Sequence, residues 1–179
     1  MRYAPRMNHL LVPPCFYQLR AVLRRAMPMN IRHVLAPTDF SEHSTQAMTY
    51  AFELAQKVGA KLSLLHVIEV PVYAIEVYLP LKDLEQDARR ELARLLPEAE
   101  TAHVAVTRLV EMGVPAQKIL ETAAAEQVDM IVMATHGRTG FSHLIMGSVA
   151  ERVVRMAPCP VLTIRPPREG SVGFRTTLV

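Results

Sequence analysis

Five short apolar runs alternate with stretches of helical periodicity, and this alternation limits what the chain can fold into more than any other feature. The runs are IRHVLA (31–36), KLSLLHVIEV (61–70), HVAVTRLVEMG (103–113), VDMIVMA (128–134) and CPVLTIRP (159–166). Each is too short to be a buried helix and too continuously apolar to have one face in water, so each reads as a strand buried on both faces. Between the first two, Ser41 is placed as an N-cap and Glu42 in the first turn, where negative charge suits the helix dipole. Ala47, Met48, Ala51, Phe52, Leu54, Ala55 and Val58 then recur at helical spacing, and Gly59 is a natural stop. LKDLEQDARRELARLLPEAE carries Leu84, Ala88, Leu92 and Leu95 on one face, with its charges on a solvated one. PAQKILETAAAEQ opens with Pro115 in a favoured early-helix place. GSVAERVVRM turns Val149, Val153 and Met156 inward. Strand–helix alternation of this kind predicts one α/β domain, an open parallel sheet with helices on both faces and right-handed crossovers. Ligands of such sheets lie outside the carboxyl ends of the strands, where the winding reverses.

The 179 residues suffice for one such domain and some tail. Hydrophobic residues make up 50% and charged ones 21%, a globular balance. The net charge of +3 comes from the front, where Arg2, Arg6, Arg20, Arg24 and Arg25 precede the first acidic residue, Asp39. The rest is slightly acidic, which argues against a nucleic-acid partner. Cys15 and Cys159 fit neither a disulfide framework nor a zinc site. No apolar run approaches the length of a membrane span. The expectation is a cytoplasmic protein with no membrane partner. Residues 1–29 are Arg-rich, acid-free and broken by Pro13 and Pro14. A transit peptide has that composition, and the simpler reading is a start at Met27 or Met29. The domain is expected over 30–166 and a patternless tail over 167–179.

Three strand ends carry the candidate chemistry. The first strand ends in APTDF, the second in LHVIE, and the fourth runs into MATHGRTGFSHLIMGSVAERV (133–153). If the first and fourth strands flank the switch point, Asp39 faces a glycine loop across one crevice. That suits a nucleotide: a carboxylate for a base or sugar donor, an apolar wall from Val67, and backbone amides for phosphate. Neither GxxxxGK[ST] nor GxGxxG is present. Instead Gly147 and Ser148 fall where a helix begins, which places the amides of Gly147, Ser148 and Val149 at a positive helix end. The alternative is that Gly147 only breaks a turn before that helix.

These motifs resemble the universal stress protein family, in its nucleotide-binding branch. The family pattern G-x-x-G-x9-G-[ST] reads here ATHGRTGFSHLIMGS: Gly137, Gly147 and Ser148 match, and Ala134 replaces the first glycine. PTDFS (37–41), LLHVIE (64–69), VDMIVMATHGRTG (128–140) and SVAERVVRMAPCPVLTIRP (148–166) are also similar to the family. The resemblance implies an adenine-nucleotide alpha-hydrolase-like sheet of five parallel strands in the order 3-2-1-4-5. It implies a homodimer joined through the last strand, and binding of ATP with a divalent ion such as Mg²⁺. By position, Pro37, Thr38, Asp39 and Val67 would meet adenine, and Ala134 would lie near the ribose. Gly137, Gly147, Ser148 and Val149 would hold phosphates, with the Ser148 hydroxyl in reach of the metal. Alanine at 134 is tolerable if the backbone there is extended, which is the expectation.

The remaining reactive residues have plainer readings. His66 reads as a satisfied core histidine, His136 and His143 as loop surface, Arg138 as either solvent-facing or phosphate-facing, and Cys159 as a small buried group. Ser142 and Thr139 would accept phosphate only if the chain modified itself. The expected function is therefore a stress-response regulatory module that binds ATP and is not an enzyme. The alternatives are a slow ATPase or self-phosphorylating enzyme, or a family member that binds no nucleotide. A phosphorelay receiver is set aside, because the third strand exits into EMGVP and the fifth into RPP, without the required Asp and Lys.

Overall fold

The computed structural model describes residues 30–69, 81–96, 104–137, 146–165 and 175–178. The loop expected over 72–80, the 1–29 extension, and Arg138, Thr139, Gly140, Ser142 and His143 lie outside them. Residues Ile31–Val179 form one compact unit.

Five parallel strands form as expected: β1 (His33–Thr38), β2 (Lys61–Ile68), β3 (Val106–Met112), β4 (Met130–Ala134) and β5 (Val161–Arg165). They stand in the order β3-β2-β1-β4-β5, so β1 is central and the winding reverses between β1 and β4. Among the described residues four helices cover them: α1 (Glu42–Val58), α2 (Leu81–Arg94), α3 (Pro115–Ala125) and α4 (Ser148–Met156). Alternation along the strands divides the core. Val34, Ala36, Leu62, Leu64 and Val132 face α1 and α2, while Leu35, Leu65, Ile131 and Met133 face α3 and α4. A leucine fully removed from water contributes about 2 kcal/mol, so the two layers account for why strands this short hold together.

The local signals behave as their chemistry requires. Ser41 caps α1, its side chain accepting from the Ser44 N–H, and Gly59 ends that helix at φ 70°, where a Cβ would be strained. Asp129 pins the start of β1: its Oδ2 accepts from the Arg32 and His33 amides at 2.8 and 3.0 Å. His33 is 2% exposed. Its Nδ1 pairs with the Glu126 carbonyl at 3.1 Å and its Nε2 with Ser63 Oγ at 2.8 Å. Since a carbonyl only accepts, Nδ1 carries the proton and Ser63 donates to Nε2.

Three expectations need correction. The tail is not patternless: Arg175–Leu178 forms β6, antiparallel to β5, which makes the sheet six-stranded and covers the edge through which a second copy was expected to pair. A four-residue strand with no apolar alternation is set by its neighbour rather than by its own pattern. Met156 is 57% exposed, because the buried stripe of α4 runs through Ala150 and Val153, one position away from the one read from sequence. Val58 also lies on the exposed side of α1.

One feature of register creates the crevice. β1 pairs with β4 only at Val34 with Met130 and Leu35 with Ile131, whereas it follows β2 as far as Thr38 with His66. β4 meanwhile stays with β5 as far as Ala134 with Ile164. The two central strands therefore part company above Leu35, where Pro37, which has no N–H to donate, sits in the unpaired stretch.

Candidate nucleotide site

The gap between β1 and β4 opens into a cleft of about 830 Å³ at the carboxyl ends of the strands. All nine residues picked from sequence line it: Pro37, Thr38, Asp39, Val67, Ala134, Gly137, Gly147, Ser148 and Val149. Ala134 is the last residue of β4, is 8% exposed and is not among the positive-φ residues, so its backbone is extended and alanine is accommodated.

The Asp39 carboxylate is held by its own loop. Oδ1 accepts from the Ser41 amide at 3.1 Å and from Ser41 Oγ at 2.6 Å, an Asx-type turn that leads into the cap of α1. Oδ2 lies against Gly137, where a Cβ would stand 2.5 Å away. Glycine is therefore needed at 137 for close approach. Gly147 has a different reason. Its φ of −73° and ψ of 154° suit any residue, but its N–H donates to the Thr135 carbonyl at 2.7 Å, and a Cβ would meet that oxygen at 3.3 Å. This corrects one expectation: the Gly147 amide is engaged by Thr135. The next three amides, of Ser148, Val149 and Ala150, open α4 and so have no intrahelical partner, and no side chain caps that end. The positive end of the helix is thus presented at the cleft.

Residues not singled out for the site also build its walls. Phe40 takes φ 64°, rare for a bulky side chain. Its ring stacks on His66, with centroids 4.2 Å apart and planes inclined by 31°. His66 is satisfied, its Nδ1–H donating to the Thr38 carbonyl at 2.9 Å, but it is a cleft wall rather than core. Leu84, Asp87, Ala88 and Glu91 bring α2 to the same opening. Period-2 alternation along β2 was the available signal for His66: it faces the α1 and α2 side, as Leu62 and Leu64 do. His136 lines the cleft beside Gly137, with Nδ1 2.9 Å from Thr135 Oγ1. Cys159 is partly buried against the α3 and α4 layer, and burial pushes its thiol above the ordinary value, which makes it a poor nucleophile. Among the described residues no group of three His, Cys, Asp or Glu side chains is placed to hold a metal ion, and no helix is long and apolar enough to cross a membrane.

The family model described as the Universal stress protein family matches residues 30–165, most of the chain. The chain belongs to the universal stress protein family. It is 31% identical to universal stress protein MJ0531 of Methanocaldococcus jannaschii over 162 residues, covering 86% of this chain and 93% of that one. The solved structure of MJ0577, from the same organism, superimposes with a TM-score of 0.70 at 29% identity, over 77% of this chain and 98% of that one. A universal stress protein solved in complex with cAMP shares the fold, with a TM-score of 0.60 at 21% identity, over 75% of this chain and 97% of that one. In this universal stress protein the backbone at Ala134 is extended.

Proposed function

We propose that this universal stress protein binds ATP with a divalent ion and acts as a regulatory module of the stress response in the cytoplasm. Adenine lies against Val67 with its amino group toward Asp39, the ribose lies beside Ala134, and the phosphates meet the opening amides of α4. The ion rides on the phosphates, with the Ser148 hydroxyl as its protein ligand. The observation that carries this reading is that a loop-anchored carboxylate and an uncapped helix start border one cleft, separated by a glycine that the carboxylate itself keeps bare. A carboxylate suits a base donor and a helix start suits an anion, so the two ends of the cleft match the two ends of a nucleotide. The reading is of binding rather than turnover: two hydrogen bonds from Ser41 hold the Asp39 carboxylate in its own loop, where it serves the base. Two copies pair through β5 in this reading, which requires β6 to leave that edge.

Calorimetric titration with ATP and Mg²⁺ tests it, alongside identification of any nucleotide that co-purifies. A saturable heat is expected for ATP and a weaker one for GTP, with the two more alike in Asp39→Ala. An absence of heat at about 1 mM ATP, where even weak sites register, together with no co-purified nucleotide, overturns it.

A further inference from the structure

Charge is divided unevenly around the cleft. Asp39, Glu69, Asp87 and Glu91 line it, and among the described residues no lysine or arginine does. The positive end of α4 is therefore set against a space whose charged side chains are acidic. That end acts only within the first turn of the helix. One phosphate can be met there, on the amides of Ser148, Val149 and Ala150. A chain of three phosphates runs past the first turn, where only a side-chain cation can meet it.

α4 carries two arginines beyond that turn, Arg152 and Arg155. A second hollow, of about 270 Å³, is lined by Ser148, Glu151, Arg152, Arg155 and Met156. Ser148 borders both spaces, so the hollow and the cleft meet at that residue. Arg152 follows Ser148 by four residues, which puts it on the same face about 6 Å further along the helix axis. A helical side chain leans toward the N-terminus, over the turn before its own Cα. The Arg152 guanidinium is thus carried back toward Ser148. Arg155 is engaged differently, because its guanidinium donates to the Glu151 carboxylate. Among the described residues no carboxylate pairs with Arg152. Of the two it is the one available to an anion, and its planar fork suits phosphate.

We propose that Arg152 reads the length of the phosphate chain. It donates to a phosphate that has passed Ser148, and so makes the site selective for nucleoside triphosphates over monophosphates. The proposal rests on the reading that the phosphates meet the opening amides of α4.

Titration calorimetry of the full chain with AMP and with ATP, each with Mg²⁺, tests it in wild type and three variants. Arg152→Ala should weaken ATP at least about tenfold and AMP by less than about twofold. Arg152→Lys should recover part of the loss, because an ammonium supplies the charge without the fork. Arg155→Ala removes the same charge from the same helix and should change neither nucleotide by more than about twofold. Arg152 is exposed, so the melting temperature without ligand should hold in its variants. If ATP binds wild type and Arg152→Ala alike, the proposal fails and the nucleotide reading stands. Equal losses for AMP and ATP would put Arg152 at a part of the ligand that both share, and overturn it. An equal loss of ATP in Arg155→Ala would be an effect of helix charge alone, and also overturns it. If wild type gives no heat with either nucleotide at about 1 mM, the nucleotide reading and the proposal fall together.

Discussion

The Asp39 carboxylate leaves no room for a side chain on Gly137: a Cβ built there stands 2.5 Å from Asp39 Oδ2 and 3.4 Å from Asp39 Cγ. The far end of a short side chain can swing away, so the protein should survive the substitution while the carboxylate loses its place. Gly137→Ala should weaken ATP binding and reduce its preference over GTP, with little change in melting temperature. In Asp39→Ala the obstacle is gone, so adding Gly137→Ala should cost little more, a coupling of about 0.5–3 kcal/mol in a double-mutant cycle. Fully additive losses in the titration would show that the glycine serves something other than Asp39.

Gly147 and Ser148 are adjacent but should fail in different ways. A Cβ on Gly147 meets the Thr135 carbonyl, which is backbone and gives little. Gly147→Ala should therefore lower stability by about 1–2 kcal/mol, read as a fall in melting temperature without ligand. Ser148 is exposed at the start of α4, so Ser148→Ala should leave stability within about 0.5 kcal/mol. It should weaken ATP binding by about 1–2 kcal/mol, the loss of a hydrogen bond to a charged group. The two variants thus separate fold from affinity.

Phe40 reverses the usual ranking of alanine and glycine. At φ 64° a Cβ is strained, while the ring recovers part of that strain by stacking on His66. Phe40→Ala loses the stack and keeps the strain; Phe40→Gly loses the stack and the strain together. Phe40→Gly should therefore be more stable than Phe40→Ala by about 1 kcal/mol. Chemical denaturation of both checks this, and equal midpoints would mean that the backbone relaxes once the ring is gone.

Burial holds the His33 imidazole below its ordinary value of about 6.5, with the Glu126 carbonyl opposing the shift and Lys61 adding to it. The folded state thus binds this proton less readily than the unfolded chain. Its contribution to stability is complete above about pH 6.5 and is lost as the pH falls through the folded value. Melting temperature should drop between pH 7 and pH 5, and more steeply in wild type than in His33→Gln, which cannot titrate. Parallel pH profiles of the two would assign the acid sensitivity to other groups.

The parts of the fold legible in the sequence are those fixed by neighbours a few residues away. Ser41 and Gly59 mark the ends of α1 because capping is local chemistry, and the strands were visible because both of their faces are apolar. β6 was not legible: Arg175–Leu178 becomes a strand because β5 offers it an edge. The cleft was legible through Asp39 and the glycines, since each answers to a recognisable motif. The reason for each glycine was not. Gly137 yields to a carboxylate nearly a hundred positions earlier, and Gly147 to the Thr135 carbonyl at the end of β4. His66 looked like core because its strand is core; only where β1 and β4 separate does that position become a wall.

The pin between Asp129 and the start of β1 joins residues 96 and 97 positions apart in the chain. Closing so long a loop is slow, and sheets that depend on it form late. One wall of the cleft is present as soon as β1 and β2 pair, but the other arrives only when β4 docks. A molecule that must touch both walls finds nothing to bind on the way to that point. It should leave the rate of folding unchanged and act almost wholly by slowing the escape from the finished state.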